Sequence, residues 1–159
     1  MANTNFVDLV KEAKSHKYEF VLWPQRWQQY EPLINYNWIT FAFCQDSVEK
    51  IPDKPGVYAF LIQPHIADNL DVSYLMYVGQ TSRSLKKRFK EYLTEMNSNR
   101  GRPKIVTLLQ MYQGYLYFSC ITLDNNVSPH DVEEELLKAL IPPANDQLPA
   151  EIRSVIKAF

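Results

Sequence analysis

A chain of 159 residues with 46% apolar content can bury a sizeable core, so the default architecture is one compact domain with an appendage. A formal net charge of −1 excludes a global field that draws in nucleic acid and leaves any such binding to a local patch. Cys44 and Cys120 lie far apart without metal-type spacing, which predicts two reduced thiols rather than a disulfide framework. Asp8 and Glu12 in a first stretch without a long apolar run predict neither a secretory signal nor a membrane span, and the expectation is a cytoplasmic protein with no membrane partner.

In chain order, Asn5 is placed to cap a helix whose apolar positions Phe6, Leu9, Val10 and Ala13 share one face suited to docking. Residues 18 to 45 are rich in aromatics (Tyr18, Phe20, Trp23, Trp27, Tyr30, Tyr36, Trp38, Phe41, Phe43) but are broken by Pro24 and Pro32. They predict an irregular extension packed on the main domain. Beyond Pro52 and Pro55 the texture changes: a β-type run from Val57 to Ile62, a loop around Pro64 to Asp71 and a second run from Tyr74 to Val78 predict an antiparallel hairpin.

Ser84 caps a helix from Leu85 to about Met96, the Ser98-Asn99-Arg100-Gly101-Arg102 break follows, and Pro103 opens another helix that ends at Gly114. Tyr115 to Leu123 is a third β-type run. Ser128 and Pro129 start a helix with Val132, Leu136, Leu137 and Leu140 on its buried stripe, and Pro142-Pro143 stop it. A last amphipathic segment carries Ile152, Val155, Ile156 and Phe159. The layout from residue 54 is ββααβα, with no internal repeat.

Three groups of residues carry chemistry. Tyr58 and Tyr77 each sit in a strand two positions from a glycine, Gly56 and Gly79, which permits close approach of backbone or ligand; the alternative is a packed strand tyrosine. Arg88 and Tyr92 share a turn-to-turn face of the following helix, where Arg83, Lys86, Lys87, Arg88 and Lys90 form either a phosphate-binding face or a merely solvated one. Glu133 falls on the apolar stripe of its helix, so its carboxylate needs compensation, from a divalent cation or from a basic side chain such as Arg88. Glu134 and Glu135 turn away and read as solvated. Asn145 either braces a loop or lines a site, and His16, His65 and His130 lack the spacing of a metal site or triad.

Taken in order, Gly56-Val57-Tyr58, Tyr77-Val78-Gly79-Gln80-Thr81, Leu85-Lys86-Lys87-Arg88-Phe89 and Glu133 through Pro142-Pro143-Ala144-Asn145 resemble the successive motifs of the GIY-YIG nuclease superfamily, over residues 54 to 146. The interval between the tyrosine motifs departs from the family by an insertion at Gln63 to Asp71, and the loop from Tyr77 to Arg88 is about one residue longer than is common. The resemblance implies an α+β fold with a small three-stranded antiparallel sheet flanked by helices. It divides the chain into an N-terminal helical and aromatic extension (1–53) packed on the core, a catalytic domain (54–146) and a C-terminal helix (147–159).

The implied activity is DNA endonuclease, in repair, mobile-element or restriction biology, leaving 5′-phosphate and 3′-hydroxyl ends. Glu133 would ligate Mg²⁺ or Mn²⁺. Arg88 would offset charge on the scissile phosphate, and Tyr58 or Tyr77 would position or deprotonate the attacking water. Tyr92 would hydrogen-bond to phosphate or water, and Asn145 would brace the site. Lys86, Lys87, Lys90, Arg100, Arg102 and Lys104 are the candidate backbone-phosphate contacts, cations that do not read bases unaided. Trp23, Arg26, Trp27 and Tyr30 either stack on unpaired bases or simply pack. RNA is an equal substrate by sequence, because nothing selects the sugar. Target recognition then falls to a protein partner or a homodimer. The alternative is a nucleic-acid-binding or protein-interaction module with this fold and little turnover.

Overall fold

The computed structural model describes residues 5–33, 35 and 37–158; Tyr36 and Phe159, counted above among the aromatic extension and the last amphipathic segment, lie outside them. Helix α1 (Phe6–Ser15) is capped by the Asn5 side chain, which accepts from the Val7 amide, but none of its residues is buried and Phe6 is 76% exposed. Among the described residues, the docking expected of its apolar face is therefore not made. Helix α2 (Pro24–Gln29) opens on a proline at its first turn, where a missing N–H costs nothing.

Strand β1 (Ile39–Ala42) corrects the expectation of a three-stranded sheet. With β2 (Gly56–Ile62), β3 (Tyr74–Thr81) and β4 (Leu116–Thr122) it forms a four-stranded antiparallel sheet in the order β1-β4-β2-β3. Without β1 the backbone groups along one side of β4 would have no partner, so the extension closes an open sheet edge. The chain then turns inward through Phe43, whose ring meets Phe60 at 5.2 Å and Phe89 at 5.0 Å.

Alternation along β2 separates two cores. Tyr58, Phe60 and Ile62 face helices α3 (Leu85–Ser98) and α4 (Pro103–Met111), whereas Val57 and Ala59 face helix α5 (Pro129–Leu140). Burial on both faces is what a central strand needs, and it explains why Gly56 to Ile62 reads as a continuous apolar run. On β3 the register shifts opposite Phe60 and Leu61, which leaves Met76 as an extra residue; Met76 and Tyr77 both join the α3/α4 core. Such a bulge re-aims side chains, and here it puts Met76 on the face that Tyr77 already shares with Tyr58 by alternation.

Helix α5 buries Val132, Leu136, Leu137 and Ala139, so Leu140, expected on the buried stripe, is exposed at 40% beside Trp38 instead. The helix ends at Ile141, whose φ of 46° is uncommon for a β-branched residue and swings residues 142 to 145 back along the outer edge of β3. Helix α6 (Ala150–Ile156) follows and seats Ile152. Cys44 and Cys120 are both free thiols, and among the described residues no helix is long and apolar enough to cross a membrane.

Candidate active site

Gly79 explains how the first tyrosine reaches its place. Tyr58 and Gly79 are cross-strand partners, and a Cβ on Gly79 would sit 2.6 Å from the Tyr58 ring and hydroxyl. The Tyr58 ring lies over bare backbone and stacks on Phe118 at 5.1 Å with an interplanar angle of 17°. A methyl group there has nowhere to go, because Tyr58 is only 1% exposed. Gly79→Ala is expected to cost about 1–3 kcal/mol by overpacking and to displace the Tyr58 hydroxyl. Thermal unfolding would register this as a drop of roughly 2–4 °C for each kcal/mol.

The Tyr58 hydroxyl meets that of Tyr92 at 2.9 Å and accepts from Arg88 Nε at 3.2 Å, while a second guanidinium nitrogen of Arg88 donates to Tyr92 at 3.1 Å. Arg88 also lies over the Tyr92 ring, 4.2 Å from its centroid, and donates to Glu91 at 2.6 Å, with Glu95 at 3.7 Å. A planar fork with several donors satisfies all of these at once; a point charge does not. Burial works against the Arg88 cation, but Tyr58, Tyr92 and Glu91 more than offset it and hold the group charged. Burial also pushes the Tyr58 phenol up to about 12 and raises that of Tyr92 further.

The second tyrosine has different company. Arg102, which precedes α4, donates to the Tyr77 hydroxyl at 3.0 Å and lies over the ring, 5.3 Å from its centroid. Tyr58, Tyr77, Arg88 and Arg102 line one cavity of about 690 Å³, and Glu133, His130 and Asn145 line its other side. The cavity thus spans the β3 edge: tyrosines and arginines come from the α3/α4 face, and Glu133 comes from α5 on the opposite face.

Glu133 has a side chain only 19% exposed, and burial holds its carboxyl above the usual range even though His130 and Arg102 pull it down. Its ion-pair contact is His130, with Nδ1 at 3.9 Å. The alternative of a Glu133 to Arg88 pair is not formed among the described residues, because Arg88 is turned to Glu91 and Glu95. Glu134, expected to point away, also lines the cavity and contacts His130 at 3.7 Å and Lys138 at 3.6 Å, whereas Glu135 binds Lys138 at 3.1 Å.

Asn145 does both things its position allowed. Its amide accepts from the Val78 N–H at 2.9 Å and donates to the Val78 carbonyl at 2.8 Å, and the Ala144 N–H donates to Met76 at 2.8 Å. These are the outward backbone groups of the edge strand, so the loop continues the sheet while its side chain borders the cavity. Asn145→Ala leaves a donor and an acceptor of Val78 without their partner and is expected to cost about 1–3 kcal/mol. Asn145→Asp, which keeps one bond and sets a carboxylate against a carbonyl, should fall at or below it in chemical denaturation.

The cations distribute unevenly. Lys86 faces the 3₁₀ turn (Gln45–Lys50) and pairs with Glu49 at 3.4 Å, away from the cavity. Lys87 and Lys90 line a shallow groove on α3 that joins the cavity through Arg83, Arg100 is exposed, and Lys104 pairs with Asp146 at 3.0 Å on the rim. Of the aromatic extension, Arg26 lies over Trp23 at 4.8 Å and contacts Glu151 at 3.6 Å. Sequence reasoning missed His130, although its spacing to Glu133 and Glu134 was a readable helical signal. It also missed the inward turn of Arg102, for which no local signal existed.

No protein-family model matches the chain, and no curated protein and no solved structure matches it significantly.

Proposed function

We propose that this chain is a metal-dependent endonuclease of the GIY-YIG type, hydrolysing phosphodiester bonds of DNA. The observation that supports this is convergence: Tyr58, Tyr77, Arg88, Glu133 and Asn145, drawn from β2, β3, α3, α5 and the loop after α5, line one cavity. A fold stabilised only by packing has no need to gather a shielded guanidinium, two phenols and a desolvated carboxylate at one sheet edge.

The residues fit a hydrated Mg²⁺ or Mn²⁺. Glu133 is desolvated, and its listless contact with an exposed imidazole leaves the carboxylate available. Among the described residues no group of three or more His, Cys, Asp or Glu forms an all-protein cage. Glu133 would therefore hold the ion together with water and phosphate oxygens, as Mg²⁺ favours. When bound, the ion would act as a Lewis acid on a non-bridging phosphate oxygen and on the leaving 3′ oxygen.

The chain's own side chains do the rest. Arg88, fixed by Tyr58, Tyr92 and Glu91, presents a permanent charge to the phosphate as negative charge builds on it. A tyrosine hydroxyl orients the attacking water, whose oxygen bonds to phosphorus as the bond to the 3′ oxygen breaks. The products are a 5′-phosphate and a 3′-hydroxyl, the water proton ending on the leaving oxygen or in solvent. Arg83, Lys87 and Lys90 line a groove that leads from the cavity along α3, where Glu91 and Glu95 lie among them, and would neutralise backbone phosphates without reading bases.

The test is purified protein on supercoiled plasmid, single-stranded DNA, branched DNA and RNA, with Mg²⁺, Mn²⁺ or chelator, beside Glu133→Ala. Metal-dependent nicking by wild type that is absent from the folded variant supports the reading. Retention of DNA with no cutting of any substrate would replace it with a binding module.

A further inference from the structure

Helix α5 sets an imidazole beside the carboxylate that would hold the ion. Ser128 caps this helix and Pro129 opens it, which puts His130 in the first turn with Glu133 and Glu134 one turn further on. His130 Nδ1 stands 3.9 Å from one oxygen of Glu133, and His130 Nε2 stands 3.7 Å from one oxygen of Glu134. Both separations exceed a hydrogen bond, so neither nitrogen is committed to a carboxylate. Glu134 is held in turn by Lys138, 3.6 Å from its other oxygen. His130 and Glu133 line the same cavity, and the imidazole, with a side chain 68% exposed, is packed under nothing.

Resting on the nuclease reading above, we propose that His130 is a second protein ligand of the divalent ion at Glu133, and that its imidazole biases the site toward first-row transition ions such as Mn²⁺ and Co²⁺ over Mg²⁺. Two donors bonded to one ion at about 2.1 Å stand about 3 Å apart when adjacent and about 4 Å apart when opposite. The 3.9 Å between His130 Nδ1 and Glu133 lies within that span. The other ring nitrogen faces the Glu134 carboxylate, the arrangement that fixes the ring of a ligating histidine and raises its basicity. Imidazole suits transition ions, whereas Mg²⁺ prefers oxygen donors and keeps several waters. Glu134 stays outside the shell, in keeping with the absence of a three-ligand group among the described residues.

The test is metal binding by the DNA-free protein, with Mn²⁺, Co²⁺ and Mg²⁺ as the probes. His130→Ala removes an exposed side chain and should weaken Mn²⁺ and Co²⁺ about tenfold or more, while Mg²⁺ changes by less than about threefold. Glu134→Gln, which removes only the orienting carboxylate, should also weaken Mn²⁺ by about tenfold. Electron spin echo modulation of bound Mn²⁺ should show a directly coordinated nitrogen in wild type and in Glu134→Gln, and none in His130→Ala.

Bound Mn²⁺ without nitrogen coupling in wild type would overturn the assignment. So would equal weakening of Mn²⁺ and Mg²⁺ in His130→Ala, which a loss of local structure would produce. Nitrogen coupling that survives His130→Ala and disappears in His65→Ala would put the ion on a surface histidine and overturn it as well. Binding lost in Glu133→Gln but untouched in His130→Ala overturns only the second ligand. Binding that neither variant changes overturns it together with the ion site on which the nuclease reading stands.

Discussion

Glu133→Gln is expected to abolish metal-dependent cutting, by about 10³-fold or more, and to raise the melting temperature of the metal-free protein. The first effect follows from the donor set. Glu133 is the carboxylate that burial has desolvated, and the neighbouring Glu134 already contacts His130 and Lys138. The glutamine amide keeps the shape but not the charge, and losing about 4 kcal/mol of Lewis-acid stabilisation corresponds to roughly a thousandfold in rate.

The second effect has its sign fixed by linkage. Burial raises the Glu133 carboxyl in the folded state above its unfolded value, against the lowering influence of His130 and Arg102. Between the unfolded and folded values the native state therefore holds more protons, and stability falls as pH rises through that window. Above it the full penalty remains, and at neutral pH wild type carries it. Glutamine has no ionised form to desolvate. Melting curves in chelator should nearly coincide for variant and wild type below the ordinary glutamate range, diverge through the window, and run parallel above it. A variant that melts lower at neutral pH would make Glu133 a structural carboxylate and remove the support it gives to the nuclease reading.

What could be read in advance depended on whether the cause was local. Ser84 and Ser128 accept from the Lys87 and Asp131 amides as their positions before helical stretches predict, and Pro103 and Pro129 open helices because a first turn needs no donor there. The β2–β3 hairpin was legible from its two β-type runs and from the prolines that bound the first of them. Strand β1 was not, because Ile39 to Ala42 is a short edge strand in an aromatic stretch whose periodicity is broken, and its reason for forming is the distant open side of β4.

The same division holds in the site. Tyr58, Tyr77, Arg88, Glu133 and Asn145 were visible as motifs, but their separation by as many as 87 positions hid which side chains meet. Glu91 sits one turn from Arg88 and could have been paired with it by spacing. Arg102 could not have been placed over Tyr77, since only the packing of α4 on the sheet brings the preceding loop there. Gly79 was noted as room for a ligand or backbone, whereas its occupant is the Tyr58 ring from the neighbouring strand.

Arg88→Lys is expected to be nearly as damaging as Arg88→Ala, although it keeps the charge. The guanidinium in wild type donates to Tyr58 from Nε, to Tyr92 and Glu91 from its two terminal nitrogens, and lies 4.2 Å over the Tyr92 ring. An ammonium has three donors radiating from one atom on a flexible stem, so it reaches one or two of these groups and leaves the others to each other. Glu91 still has Arg83, at 2.7 Å, and will draw the lysine and the exposed arginine toward the rim, away from the phosphate.

A preorganised charge aimed at a developing oxyanion is worth about 10²–10³ in rate, and the lysine should forfeit most of that. Single-turnover cutting and DNA affinity, measured on the same preparation, separate the possibilities. A loss in the rate of the bound complex with DNA affinity within about threefold places Arg88 in the transition state rather than in ground-state binding. An equal loss in both would make it one more phosphate anchor, and the network that Tyr58, Tyr92 and Glu91 build around it would then be a device of stability alone.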